Sequence, residues 1–331
     1  MAEPDAPTWV HEHSFGEYRS VLLDGDEALA ARLNWFSHIC AGTIATAKIV
    51  KRSEGAKRAL CVTILPQAGF EVEVPDLPRD ASEGSEVRIM IHREPVAERG
   101  RHKRAQGRYF SNQPDADAIA PMNDLIRGEE VRRLPAGVWE EVWSLAAEGE
   151  LAFAGGNLVI TPTPAMTLID IDGGGSAREL SLAAVPAIAR AIRQMDLGGN
   201  IGIDFPTITA KADRKVVDAA LDAALDDWPH ERTAMNGFGF VQIIARLQLP
   251  SLLHRLSFER ASASARFLLR SAERLEGIGR CLLLTCHPAV KAKIDDSWLI
   301  ELREKSGKDV RIKTDPNLAL EAGHAQLVDD D

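Results

Sequence analysis

Three aspartates stand at the ends of two apolar runs, Met166-Thr-Leu-Ile-Asp170-Ile-Asp172 and Asn200-Ile-Gly-Ile-Asp204-Phe205. Short apolar runs that end in turn formers predict buried strands, here strands whose last residues are acids. Carboxylates gathered at the ends of neighbouring strands repel one another unless a cation sits among them. A hard divalent ion suits them, because Mg2+ accepts one or two carboxylates together with water and phosphate oxygen, and Mn2+ can take its place. The competing role for each acid is turn capping, Asp being a common turn former. That role weighs most for Asp172, which precedes three glycines.

The acids can work together only if the chain brings the two runs side by side. Leu182, Val185, Ala189, Ile192 and Met195 recur at helical spacing between them, and Leu197-Gly198-Gly199 stops that helix. A strand, helix, strand unit normally makes its strands parallel neighbours, so Asp170, Asp172 and Asp204 should emerge at one sheet edge.

The rest of the chain sets limits on this chemistry. Its 331 residues can bury a sizeable core, and 45% hydrophobic with 27% charged residues is ordinary globular composition. No apolar run approaches the roughly 20 residues that span a bilayer, and the start lacks a signal peptide's pattern, so no membrane association and a cytoplasmic location are expected. Cys40, Cys61, Cys281 and Cys286 are too few and too scattered for a disulfide framework. Cys281 and Cys286, five apart in an apolar run, fall on opposite faces of a strand, so no structural zinc is expected. A net charge of −10 argues against indiscriminate nucleic-acid binding. Two stretches run against that balance, residues 48–58 and 93–108, and the second holds Arg99, Arg101, Lys103 and Arg104. On composition alone such runs read as solvated surface.

Short strands separated by Gly and Pro turns follow one another from Gly42 to about Arg93, which predicts a small antiparallel OB-type barrel. Such barrels bind single strands through basic charge and stacking aromatics, and Phe70 is the candidate platform here, with core packing as its alternative role. Residues 1–15 read as a flexible leader, 16–108 as the barrel module with flanking strands including a hairpin about Asp24-Gly25, and 109–130 as a linker. Residues 131–258 read as an α/β domain with a mixed or parallel sheet and flanking helices, and 259–331 as a small α/β subdomain. After Asp204, Thr209 is a candidate cap for a helix that exposes Lys211, Arg214 and Lys215 near its start, where they could meet phosphate.

The segments TPAMTLID and IARAIRQMDLGGNIGIDF resemble the catalytic core of the ribonuclease E/G family. GTIATAKIV and EGSEVRIMIHREPVAERG resemble the opening and close of that family's RNA-binding OB module, and Phe238-Gly239 stands in a segment similar in outline to another family motif. The resemblance implies a Mg2+-dependent endoribonuclease acting on single-stranded RNA, with Asp170 and Asp204 as the metal ligands and metal-activated water as the attacking group. Asp172 stands where the family has Asn, Gly237 where Arg is usual and Gln242 where Glu is usual. The family's 5'-end sensor domain and its Cys-Pro-x-Cys zinc link have no counterpart in the sequence. These departures keep a second expectation open, an RNA-binding or scaffold protein with little or no turnover. Oligomeric state is open as well, a homo-oligomer being one option.

Overall fold

The computed structural model describes residues 6–36, 39–52, 58–64, 69–110 and 128–329. Strands β1 (Thr8–Ser14), β2 (Glu17–Asp24) and β3 (Glu27–Trp35) form an antiparallel meander, with Gly25 at φ 59° in the β2–β3 turn. The expected hairpin is present. Residues 8–14, however, are a strand and not part of a leader: β1 buries Val10, His11, Glu12 and Ser14. Its polar letters concealed it, because their partners come from other elements. The His11 ring, for example, shares a 2.8 Å hydrogen bond with the Ser20 hydroxyl.

Next come β4 (Ile44–Arg52), β5 (Ala59–Thr63), β6 (Glu71–Val74), β7 (Glu86–Arg93), β8 (Val96–Glu98), β9 (Arg101–Lys103) and β10 (Ala105–Tyr109). A closed barrel runs in the order β10-β6-β5-β4-β7 around Ala47, Ile49, Cys61, Val72, Val74, Ile89 and Ile91. The stretch 93–108, expected to trail behind the barrel as a basic run, therefore contains its closing strand, while β8 and β9 pair as a separate hairpin. Only Ala105 and Gly107 of β10 are buried, too little apolar bulk to signal a strand. The side chain added by any larger residue at Gly107 would start 3.1 Å from Val72.

Most of the expected linker, residues 111–127, lies outside the described residues, and β11 (Glu129–Glu130) pairs in parallel with β1. The central unit holds α1 (Val138–Glu148), β12 (Glu150–Phe153), β13 (Gly156–Pro162), β14 (Thr167–Gly173), α2 (Ala177–Gln194), β15 (Gly199–Asp204), α3 (Lys211–Ala224), β16 (His230–Arg232) and β17 (Phe240–Ala245). Its sheet runs β12-β13-β14-β15-β17-β16. Only β14 and β15 pair in parallel, so the sheet is mixed, as the single crossover through α2 requires. Ser176 caps α2 by accepting from the Glu179 amide at 3.2 Å. Thr209 does not cap α3: Ala210 holds that position without a side-chain bond.

Helices α4 (Leu252–Phe258) and α5 (Arg260–Glu273) lead into β18 (Cys281–Cys286), α6 (Pro288–Lys291), α7 (Asp296–Ser306), β19 (Asp309–Thr314) and β20 (His324–Val328). Between β18 and β19 the chain forms two helices, the second capped by the Asp295 side chain on the Ser297 amide at 2.8 Å. No helix among the described residues is long and apolar enough to cross a membrane.

Val21, Ala28, Ala31, Leu33 and Trp35 of the meander share one core with α1, α2 and the six-stranded sheet. Strands β1 to β3 thus pack with the central unit and not with the barrel, against the expected grouping of 16–108. Buried charge ties these parts together. Arg270 of α5 pairs with both Glu12 and Glu17, the latter at 2.6 Å, and Glu17 also accepts from the Trp35 indole at 3.0 Å. Arg255 of α4, stacked on Trp35, reaches Glu94 at 3.0 Å, just past the β7 strand of the barrel. Burial pushes the Glu17 carboxyl up, but Arg270, Arg19 and Arg266 outweigh it and hold it below its usual value of 4.5. Such a carboxylate stabilises the fold above 4.5 and loses that contribution as pH falls through its lowered native value. Arg270→Met should therefore cost about 3–5 kcal/mol at pH 7 by leaving buried carboxylates undercompensated. Urea denaturation should show the gap to wild type narrowing at acid pH as the Glu17 carboxylate takes up a proton.

Candidate metal centre on the open face of the mixed sheet

Leu158, Ile160, Ile169, Ile171, Ile201, Ile203, Val241 and Ile243 all lie in the core shared with α1, α2, α3 and α4, so the helices cover one face of the sheet. Strand alternation sends the intervening residues to the opposite face. In register across four strands, that face carries the row Val159, Asp170, Asp204, Phe240, and beside it the row Thr161, Leu168, Gly202, Gln242. Asp172 lies on the same face, opposite Asn157.

Asp170 and Asp204 are direct partners in the parallel pair, on strands about 4.8 Å apart. All three aspartates are exposed. Among the described residues none has a Lys or Arg at ion-pair distance, and the one bond of this group is from the Ile171 amide to Asp170 Oδ1 at 3.0 Å. Like charges placed directly opposite one another on a sheet destabilise it unless a cation lies between them. Two water-exposed carboxylates abreast match the donor set of Mg2+, which keeps several waters and takes one or two carboxylates. Among the described residues no three His, Cys, Asp or Glu side chains converge into a ready-made cage, so Asp172 stands beside the pair rather than closing a ligand set with it.

The floor of this face is ordered by short contacts. A side chain at Gly202 would start 2.7 Å from the Phe240 ring and 2.8 Å from the Met166 sulfur, so glycine there lets both lie across the sheet next to Asp204. Gln242 donates to Asn200 Oδ1 at 2.9 Å, and Asn200 donates to the Ala165 carbonyl at 3.2 Å. The turn before β17 is pinned to the end of β15, the Phe205 amide donating to the Gly239 carbonyl at 3.2 Å and the Thr207 hydroxyl to that of Phe238 at 3.3 Å. Gly239 sits at φ 94°, where an added Cβ would fall 2.2 Å from the Phe205 carbonyl oxygen.

The basic residues are arranged differently. Arg101 and Lys103 both pair with Glu98, at 2.6 and 2.5 Å, and Arg104 pairs with Glu71 at 2.5 Å. Their hairpin packs on α4, which covers the helical side of the sheet, so it does not extend toward the aspartates on the opposite face. Arg214 donates to the carbonyls of Ile208 and Thr209 at 2.6 and 2.8 Å and so closes the loop after β15. Arg99, Lys211 and Lys215 are exposed and have no carboxylate partner among the described residues. Of these, Lys211 and Lys215 open the helix that follows Asp204. Phe70 is half-buried against the barrel core, its amide donating to Thr63 Oγ1 at 2.9 Å. Phe238, quoted in the sequence reading only as part of a motif, is 82% exposed. Its setting in Asn-Gly-Phe-Gly could have revealed that, since a tight turn between glycines has no core to offer a ring.

Residues 141–246, which contain all three aspartates and the Phe238 turn, match the model of the Ribonuclease E/G family. This segment belongs to that family. Ribonuclease G of Escherichia coli strain K12 is 32% identical over 132 residues, 36% of this chain and 27% of its own length. A chloroplastic Ribonuclease E/G-like protein of Arabidopsis thaliana is 32% identical over 131 residues, 36% of this chain and 13% of its own. Ribonuclease E of Escherichia coli strain K12 is 34% identical over 110 residues, 30% of this chain and 10% of its own. The chain thus spans about a quarter or less of the length of these curated relatives. The family's likeness is concentrated on the mixed sheet, and the barrel lies outside the matched segment.

If the open face holds a divalent ion, Mg2+ at ten times its dissociation constant should stabilise the protein by about 1.4 kcal/mol. A thermal scan with Mg2+ against one with a chelator reads this as a rise in melting temperature. A variant carrying both Asp170→Asn and Asp204→Asn should melt slightly higher than wild type without metal, since a like-charge pair is removed, and should not respond to Mg2+.

Proposed function

We propose that the chain is a Mg2+-dependent endoribonuclease hydrolysing single-stranded RNA in the cytoplasm. The observation that carries this reading is the register of Asp170 against Asp204 on an exposed sheet face, with no basic partner among the described residues, inside the segment of ribonuclease E/G family sequence. Ribonucleases G and E among the relatives support the reaction class. Asp170 and Asp204 would hold the ion between β14 and β15. Bound there, Mg2+ supplies charge stabilisation at the scissile phosphate and acidifies water. Asp172, two residues along the same face, would accept a hydrogen bond from a water and orient it. Lys211 and Lys215, at the start of the helix that follows Asp204, would pair with phosphates flanking the cleaved bond.

The closed barrel, with the Greek-key strand order of an OB fold, would take an adjoining stretch of single strand. Its share of the basic charge is smaller than the sequence suggests, since Arg101, Lys103 and Arg104 already pair with glutamates, while Arg99 has no carboxylate partner among the described residues. A second reading, an RNA-binding protein without turnover, draws on Asp172 standing apart from any three-ligand cluster among the described residues.

One assay separates the two. With Mg2+, wild type should cleave a fluorescent single-stranded RNA, and Asp170→Asn or Asp204→Asn should lower the rate on the order of 100-fold or more. Binding without turnover in wild type would replace the nuclease reading with the second one.

A further inference from the structure

Phe238 is the most exposed aromatic ring among the described residues, 82% accessible, yet both its amide and its carbonyl are hydrogen-bonded. Asn236 Oδ1 accepts from the amides of Phe238 and Phe240 at 2.9 and 3.1 Å, and the Asn236 amide donates to the Phe240 carbonyl at 3.1 Å. The Gly239 carbonyl accepts from the Phe205 amide and the Phe238 carbonyl from the Thr207 hydroxyl, both donors lying in the segment that leaves Asp204. An apolar ring held in water by this many hydrogen bonds gains nothing from burial within its own fold. These bonds order the turn that presents it and tie it to residues 205–207, which follow Asp204.

The position fixes what the ring can serve. Phe238 precedes by two residues Phe240, the register partner of Asp204. Two residues of extended chain reach at most about 7 Å and the strands lie about 4.8 Å apart, so the Phe238 backbone is within roughly 12 Å of that of Asp204. A nucleotide next to a phosphate at Asp204 falls within reach of the ring. The half-buried Phe240 and Met166 continue an apolar floor from there across Gly202.

We infer that Phe238 is a positioning residue on which the base of a nucleotide flanking the scissile phosphate stacks, so that the site takes unpaired RNA. A base inside a duplex is already stacked on both faces and cannot reach the ring, whereas an unpaired base can, and every base has a π face to offer. This rests on the nuclease reading for the phosphate's place but not for the stacking itself, and the two are tested separately.

The probe is a short single-stranded RNA carrying 2-aminopurine at successive positions, bound to the Asp204→Asn variant, in which cleavage is slowed, with a chelator present to hold it off. Stacking on Phe238 should quench the fluorophore at one or two positions. Adding Phe238→Ala should remove the quench and weaken binding about 5- to 160-fold, the range of one base-stacking contact. Phe238→Trp should restore both, while Phe238→Leu, which keeps apolar bulk without a π face, should not. In the otherwise wild-type enzyme, Phe238→Ala should raise KM more than it lowers kcat, and an abasic nucleotide at the quenched position should cost wild type as much as the variant loses, with no further loss in the variant. Because the ring is exposed, its replacement should leave the melting temperature unchanged. Equal binding and equal quench with and without the ring, or rescue by Leu, would overturn the inference. So would failure of the protein with Phe238 intact to bind the RNA. Quenching by the ring in a protein that never cleaves would uphold stacking and sink only the nuclease reading.

Discussion

Burial of Ile169, Ile171, Ile201 and Ile203 against the helices is the constraint on which the candidate site depends. A strand has a period of two, so committing these isoleucines to the core commits Asp170, Asp172 and Asp204 to the other face. Register does the rest. With Ile169 opposite Ile203, Asp170 must lie opposite Asp204, and a slip of one residue would turn one acid into the core at a cost of several kcal/mol. The proximity of two like charges is thus imposed by hydrophobic packing, which is strong enough to hold an electrostatically unfavourable pair in place.

The open face also depends on what keeps it open. Glycine at 202 and 239 lets Phe240, Met166 and the Asn236–Gly239 turn approach the backbone closely, giving a shallow, rigid floor around the aspartates. On the helical side, the Glu12, Glu17, Arg19 and Arg270 cluster anchors the N-terminal meander to α5, and Arg255 with Glu94 ties α4 to the chain just beyond β7. Buried ion pairs contribute little net stability but impose geometry, because breaking either partner leaves a charge without compensation. They make the barrel and the meander part of one framework around the sheet while leaving the carboxylate face untouched.

Much of this was readable in the sequence where a segment's own side chains decide its structure. The Asp24-Gly25 hairpin, the β14–α2–β15 unit and strand β18 follow from apolar periodicity and turn chemistry. Segments whose burial is supplied by distant partners were not readable in this way. β1 looked like a polar leader because His11 and Glu12 are satisfied by Ser20, Arg19 and Arg270. β10 looked like a basic tail because its inward residues are only Ala105 and Gly107. Thr209 looked like a cap, but the loop before α3 is closed by Arg214 instead.

By itself, the sequence determined which residues could bind a hard cation and that a single crossover joins them, since apolar runs and helix stops are local properties of the chain. Only the tertiary structure decided that Asp170 and Asp204 stand abreast while Asp172 lies one step away, that Arg101, Lys103 and Arg104 spend their charge on glutamates, and that Phe238 faces water. Those outcomes turn on strand register and on which charges meet across the fold. Both are set by long-range packing, which no window of neighbouring residues contains.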